Sequence, residues 1–273
     1  MRLNNVFLKG KKSEGTCEDG YVFCGNYAAV VDGVTSKSTH LFSGKTPGQI
    51  GMETLCRVIP LLDAGLTVNQ VVRELSLALR REREHMAQEH EVTFLEYPRA
   101  CAAIYSRVRR EIWLIGDCQC SINGKVYTNP KKIDDVTMHI RSFVLQCERL
   151  AGKEELEFET DDPGRQAILP FLKQQYLFEN SNGVFGYPVL NGDAVREEHL
   201  VVIPVPAGSR VILATDGYPA LRVNLEESEA ALQELLERDP FCYRENLQTK
   251  GMQKGNGSFD DRCYLEFTTD IPL

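Results

Sequence analysis

The sequence predicts an α+β fold in which antiparallel sheet is covered by helices, organised as one domain over residues 1–273. Three observations carry that expectation. Short apolar, β-branched runs cluster toward both ends of the chain, whereas longer segments with apolar residues at helical spacing lie between them. A length of 273 residues is enough for one sizeable core and does not require two. Three of the apolar runs also end in the same way. Asn26-Tyr27-Ala28-Ala29-Val30-Val31-Asp32-Gly33 and Arg210-Val211-Ile212-Leu213-Ala214-Thr215-Asp216-Gly217 both stop at Asp-Gly, and Glu111-Ile112-Trp113-Leu114-Ile115-Gly116-Asp117 inverts the last pair.

Residues 1–9 read as an opening strand, followed by the polar loop Lys9 to Gly15. Tyr21 to Cys24 and Val30 to Asp32, separated around Gly25-Asn26, read as an antiparallel hairpin whose far ends bring Glu18 and Asp32 to one edge. After a Ser/Thr/Gly/Pro loop over 36–48, the periodicity predicts helices over 49–62 and 68–88. Strands follow over 101–108, 112–115 and 121–127, the last turning at Asn123-Gly124. Helices are expected over 134–150 and 166–177, and then a loop from Asn180 to Asp193 that could serve as a flap. Strands return over 199–205 and 210–214 across the turn Pro206-Ala207-Gly208. Helices over 226–238 and 241–250, a glycine-rich stretch over 251–257 and a closing strand over 263–268 complete the chain.

A formal net charge of −8 argues against sequence-independent nucleic-acid binding, which needs basic surface to displace counterions. No apolar stretch has the length of a membrane span, and residues 1–6 lack a signal-peptide core, so a soluble, cytoplasmic protein without nucleic-acid or membrane partners is expected. The nine cysteines are odd in number and scattered through apolar runs, which suits buried reduced thiols. Cys118 and Cys120 have no second pair at zinc-site spacing. Gly44-Lys45-Thr46 lacks the first glycine of a phosphate loop, and the five histidines are scattered.

The chemistry therefore rests on the acids. Asp-Gly is a common hairpin turn, but Asp32-Gly33 leads into a long loop and Asp216-Gly217 is followed by Tyr218-Pro219, so both aspartates terminate strands. Asp260-Asp261 opens the last strand, which in an antiparallel sheet lies beside the end of its neighbour. Carboxylates gathered on one edge repel one another unless a cation sits among them, and Mg²⁺ or Mn²⁺ prefers such oxygen ligands. Gly33, lacking a side chain, leaves its carbonyl free to turn toward an ion.

The ordered set Glu18-Asp19, Val30-Val31-Asp32-Gly33, Ile115-Gly116-Asp117, Leu213-Ala214-Thr215-Asp216-Gly217 and Asp260-Asp261 resembles the metal-dependent type 2C (PPM) serine/threonine protein phosphatases over nearly the whole chain. The resemblance implies a central β-sandwich of two antiparallel sheets flanked by helices, a four-layer αββα arrangement, with two Mn²⁺ or Mg²⁺ ions at one end. It assigns Asp32 as the bridging ligand and Gly33 as a carbonyl donor. Glu18 would act through the water shell with Asp19 beside it, and Asp216 and Asp260 would hold the second ion. Asp117 with Asp216 would take the weaker third ion of some members. It further implies attack of a metal-bridged hydroxide on a phosphoserine or phosphothreonine of a protein substrate. Two other outcomes accompany it: a low-activity regulatory module of the same fold, and a phosphomonoesterase for a non-protein substrate. Three places depart from the family pattern, one being Val34-Thr35-Ser36, which follows Asp32-Gly33 where members usually have a glycine-rich or histidine-containing continuation. Glu14 stands where members usually carry a phosphate-clamping arginine, leaving Lys11 or Lys12 as substitutes, and Asp261 stands where many have asparagine.

Overall fold

In a computed structural model, residues 1–271 are described, Glu14 by its backbone alone. Ten strands form two five-stranded antiparallel sheets. One contains β2 (Asp19–Phe23), β3 (Tyr27–Gly33), β4 (Ala100–Ser106), β5 (Glu111–Ile115) and β8 (Val201–Pro204), in that order. The other runs β1 (Arg2–Lys9), β10 (Arg262–Thr268), β9 (Arg210–Ala214), β6 (Gln119–Ile122) and β7 (Lys125–Tyr127). The sandwich explains why several strands read as continuous apolar runs: both faces of each are covered. Along β3, Ala28 and Val30 pack between the sheets, while Ala29 and Val31 pack outward among Leu55, Val71, Leu75 and Leu79. In the second sheet Val211, Leu213, Cys263, Leu265 and Phe267 face inward. Ile212, Ala214 and Tyr264 face out, under Tyr218 and Leu221.

The outward face of the first sheet is covered by α1 (Pro47–Val58) and α2 (Val68–Glu89). Each starts at a threonine whose hydroxyl accepts the N–H of a glutamine three residues on, the glutamine side chain returning to the cap. The α1 cap at Thr46 and Pro47 sets its start two residues before the apolar periodicity begins, and Pro60 turns its expected last turn into a 3₁₀ segment. On the other side α5 (Leu225–Arg238) is fixed to the second sheet by Glu229, whose carboxylate accepts both Nε and Nη2 of Arg262 at 2.7 Å and the Tyr218 hydroxyl at 2.7 Å. Arg262 is completely buried. Glu229→Ala is expected to lower stability by about 3 kcal/mol, because it strands a buried guanidinium; a urea midpoint unchanged from wild type would contradict this.

α3 (Lys132–Leu150) and α4 (Pro163–Gln174) pack against each other. They stand at one end of the sandwich, where Lys131 meets Asp117 and Arg165 lines the same cleft. α4 begins earlier than the expected 166 because Asp162 caps it, accepting the Arg165 N–H at 2.7 Å, with Pro163 following.

Two expectations are corrected. Residues 241–250 do not form a helix. Buried Asp239 accepts the N–H groups of Tyr243, Arg244, Glu245 and Asn246, and Arg141 donates to the carbonyls of Phe241, Cys242 and Gln248. Side chains thus take the backbone groups that a helix would pair, and the segment folds as a loop around them. The 180–193 loop is also no free flap. Ala100 and Leu190 exchange backbone hydrogen bonds, Asn180 brackets Val189 from both sides, and Tyr187, Val189 and Leu190 are buried, because this apolar alternation is needed by the core. All nine cysteines are free. Among the described residues no helix is long and apolar enough to cross a membrane.

Candidate active site

The acids arrive at one end of the sandwich from both sheets. β2 and β3 pair so that Asp19 lies opposite Asp32, and the Gly33 N–H donates to the Glu18 carbonyl at 2.9 Å. Gly33 is needed here by packing alone: a Cβ would fall 2.2 Å from the Gly48 carbonyl oxygen and 2.6 Å from that of Glu18. β5 delivers Asp117 through Gly116, whose φ of +90° and contact with Cys101 leave no room for a side chain. β9 ends just before Asp216, and β10 starts just after Asp260-Asp261, with Ala214 opposite Tyr264.

Asp32, Gly33, Asp117, Asp216, Asp260 and Asp261 line one cleft of about 110 Å³. Glu18 and Asp19 are buried outside that lining. The two Glu18 oxygens accept the Thr46 and Thr35 hydroxyls, each at 2.6 Å, and Asp19 accepts the Thr215 hydroxyl at 2.7 Å. Asp261 spends both oxygens on the chain, taking the Lys11 N–H at 2.7 Å, the Lys11 ammonium at 2.9 Å and the Glu18 N–H at 3.3 Å. Asp260 instead meets two ammonium groups, Lys250 at 2.5 Å and Lys11 at 3.3 Å, and accepts the Asp261 N–H. Lys12 is exposed and outside the lining.

Like charges and burial dominate the electrostatics. Burial, then the negative charges of Asp216, Asp19, Asp117 and Asp260, push the Asp32 carboxyl well above the usual range. Burial raises Asp19 in the same direction, against the Thr215 hydrogen bond. Asp216 is pushed up to about 7, by burial first and then by Asp260 and Asp117. Asp117 and Asp260 lie below the usual range despite burial, held by Lys131 in one case and by Lys250 and Lys11 in the other. Lys131 sits 2.6 Å from Asp117 and 3.8 Å from Asp134.

The residues fit a divalent cation in kind. The lining acids offer oxygen donors, their mutual repulsion calls for positive charge, and Asp117 Oδ1 is buried with no hydrogen-bond partner. Among the described residues no group of three or more His, Cys, Asp or Glu side chains stands close enough to enclose an ion unaided. The cleft also contains four basic residues that sequence reasoning did not single out: Lys37, Lys131, Arg165 and Lys250. They come from separate loops and helix starts, and nothing in their sequence surroundings separates them from solvated surface charge.

The chain has the fold of the PPM-type serine/threonine phosphatases, as the resemblance in sequence implied. The Mycobacterium tuberculosis serine/threonine phosphatase PstP/Ppp superimposes with a TM-score of 0.50 over 99% of this chain and 100% of that one, at 15% identity. The catalytic domain of serine/threonine protein phosphatase PstP in complex with two manganese ions gives 0.50 over 97% of each chain, at 16% identity. No family model matches the sequence. No curated protein matches it either.

Proposed function

We propose that this protein is a metal-dependent phosphomonoesterase acting on phosphoserine or phosphothreonine in protein substrates. The observation that carries the reading is the convergence of Asp32, Asp117, Asp216 and Asp260 from both sheets into one cleft, where burial and mutual repulsion hold Asp32 and Asp216 far from their ordinary titration. A divalent cation among these carboxylates would relieve that repulsion.

Asp32, Asp216 and Asp260 would hold a pair of Mn²⁺ or Mg²⁺ ions, with Gly33 offering its carbonyl and Glu18 and Asp19 supporting from behind. The ions would supply Lewis acidity and a water of lowered pKa. Between the two neighbouring aspartates the geometry favours Asp260 as the ligand. Asp261 is held by two backbone N–H groups, those of Lys11 and Glu18, as well as by the Lys11 ammonium, whereas Asp260 is faced chiefly by the ammonium groups of Lys250 and Lys11, whose place a metal cation would take. Glu18 is oriented by the Thr35 and Thr46 hydroxyls, and Asp19 by Thr215, so both keep fixed lone-pair directions. Lys131 neutralises Asp117 and supplies there the positive charge that a weaker third ion would otherwise provide. Four basic residues share the cleft with these acids and would meet the negative charge of a phosphorylated substrate.

Hydrolysis of p-nitrophenyl phosphate is expected with Mn²⁺ and absent with EDTA, and a phosphoserine/phosphothreonine peptide panel is expected to outperform phosphosugars and nucleotides. Turnover that ignores EDTA would remove the metal-dependent reading. A preference for the small phosphomonoesters would remove the protein substrate.

A further inference from the structure

Five cations gather at the acidic end, and three are matched. Lys11 pairs with Asp260 and Asp261, Lys250 with Asp260, and Lys131 with Asp117 and Asp134. Lys37 and Arg165 also line the cleft, yet among the described residues neither has a carboxylate within 4.0 Å. Their polar contacts are with carbonyls: Lys37 Nζ donates to Thr35 O at 2.6 Å, and Arg165 Nη1 to Thr249 O at 2.8 Å. The remaining Arg165 donors, Nε and Nη2 included, are unused by the chain.

Lys37 and Arg165 therefore present nitrogen donors to the cleft with no acid against them: burial, then the neighbouring Arg165 charge, pushes Lys37 down to about 7, and an anion held between the two would favour its charged form. Arg165 is also well positioned. Its backbone N–H is fixed by Asp162, and Asp162 is itself gripped by the buried Arg141 through Nε at 2.9 Å and Nη2 at 2.7 Å. The guanidinium therefore projects from a braced helix start over the same cleft that Asp32 and Asp216 line. A planar guanidinium with free N–H groups matches two oxygens of a phosphoryl group, and a lysine beside it adds a point charge.

We infer that Arg165 and Lys37 together bind the non-bridging oxygens of the substrate's phosphate monoester, replacing from α4 and from the loop after β3 the clamp that Glu14 cannot supply. This assignment rests on the phosphatase reading. It also accounts for Lys11 and Lys12: Lys11 is occupied with acids, and Lys12 is exposed outside the cleft.

The test uses the full chain as wild type, Arg165→Ala, Arg165→Lys, Lys37→Met and, as a control, Lys12→Ala. Steady-state kinetics on p-nitrophenyl phosphate with Mn²⁺ give KM, kcat and the inhibition constant of inorganic phosphate, and calorimetry gives inorganic phosphate and Mn²⁺ affinities directly. Arg165→Ala and Lys37→Met are each expected to raise KM and the phosphate inhibition constant about tenfold, as loss of a charge-assisted contact predicts. Their Mn²⁺ affinity and thermal midpoint should stay at wild-type values. Arg165→Lys is expected to fall between, and Lys12→Ala to match wild type. Unchanged phosphate affinity in both Arg165→Ala and Lys37→Met overturns the proposal. So does a loss matched by an equal loss of Mn²⁺ affinity, which would make these residues mere supports of the loop. Should the wild type not turn over, the phosphatase reading fails on its own. Calorimetry then still decides the anchor: phosphate binding lost in Arg165→Ala supports it, and no phosphate binding by the wild type overturns it.

Discussion

Asp32→Ala is expected to abolish Mn²⁺-dependent hydrolysis of p-nitrophenyl phosphate, by on the order of 10³-fold or more, and at the same time to stabilise the metal-free protein. The two effects have one cause. Asp32 sits where burial and four other aspartates oppose its ionisation, so without a cation its charge works against the fold. Alanine removes that repulsion and leaves only a small apolar group beside Gly33 and Cys101, in a strand whose neighbours Val30 and Val31 are fully buried. In EDTA the variant should melt above wild type, and in excess Mn²⁺ the order should reverse, because only the wild type gains binding energy from the ion. A variant that melts below wild type in EDTA would show that Asp32 is a structural acid. Equal turnover by the two proteins would remove it from the chemistry.

The second large effect is the pH dependence of the metal-free protein. Asp216 is pushed up to about 7, and Asp32 and Asp19 are raised as well. A carboxyl whose folded value exceeds its unfolded value binds more protons in the native state, so stability falls as pH rises from about 4 through about 7. Metal-free protein should thus be more stable near pH 5 than near pH 8, by on the order of a few kcal/mol. Asp117 and Asp260, held low by their lysines, act in the opposite sense, and their contribution is lost only as pH drops below about 4. Mn²⁺ should flatten the profile above pH 5, since the ion takes over the role of the bound protons. Urea midpoints from pH 4 to 9, with and without Mn²⁺, measure this. A metal-free profile that rises steadily toward pH 8 would contradict the assigned repulsion.

The strand ends were legible because each combines two local signals, an apolar β-branched run and an acid-glycine stop. Val30-Val31-Asp32-Gly33 and Ala214-Thr215-Asp216-Gly217 lie where those signals place them, and the Asp19–Asp32 register follows from a hairpin whose two runs are close in sequence. The expected helix over 241–250 was not legible, because the groups that prevent it are remote or outside the window: Arg141 donates from about a hundred residues away, and Asp239 precedes the run. The same limit hid the basic wall. Arg165 reads in sequence as an ordinary solvated charge just before the helix expected over 166–177, and only the packing of α3 on α4 carries it to the cleft.

By itself, then, the sequence determined the acids, their order, and the two kinds of element that carry them, since those depend on periodicity and on residues within a few positions of one another. Only the tertiary structure decided how Asp260 and Asp261 divide their contacts, that Lys11 is committed to both of them, and that Lys37 and Arg165 face the cleft with no carboxylate within 4.0 Å among the described residues. Those are outcomes of distance and burial between chain segments up to some 250 residues apart, and they are fixed by how the two sheets and the α3–α4 pair close on one another, which no local pattern encodes.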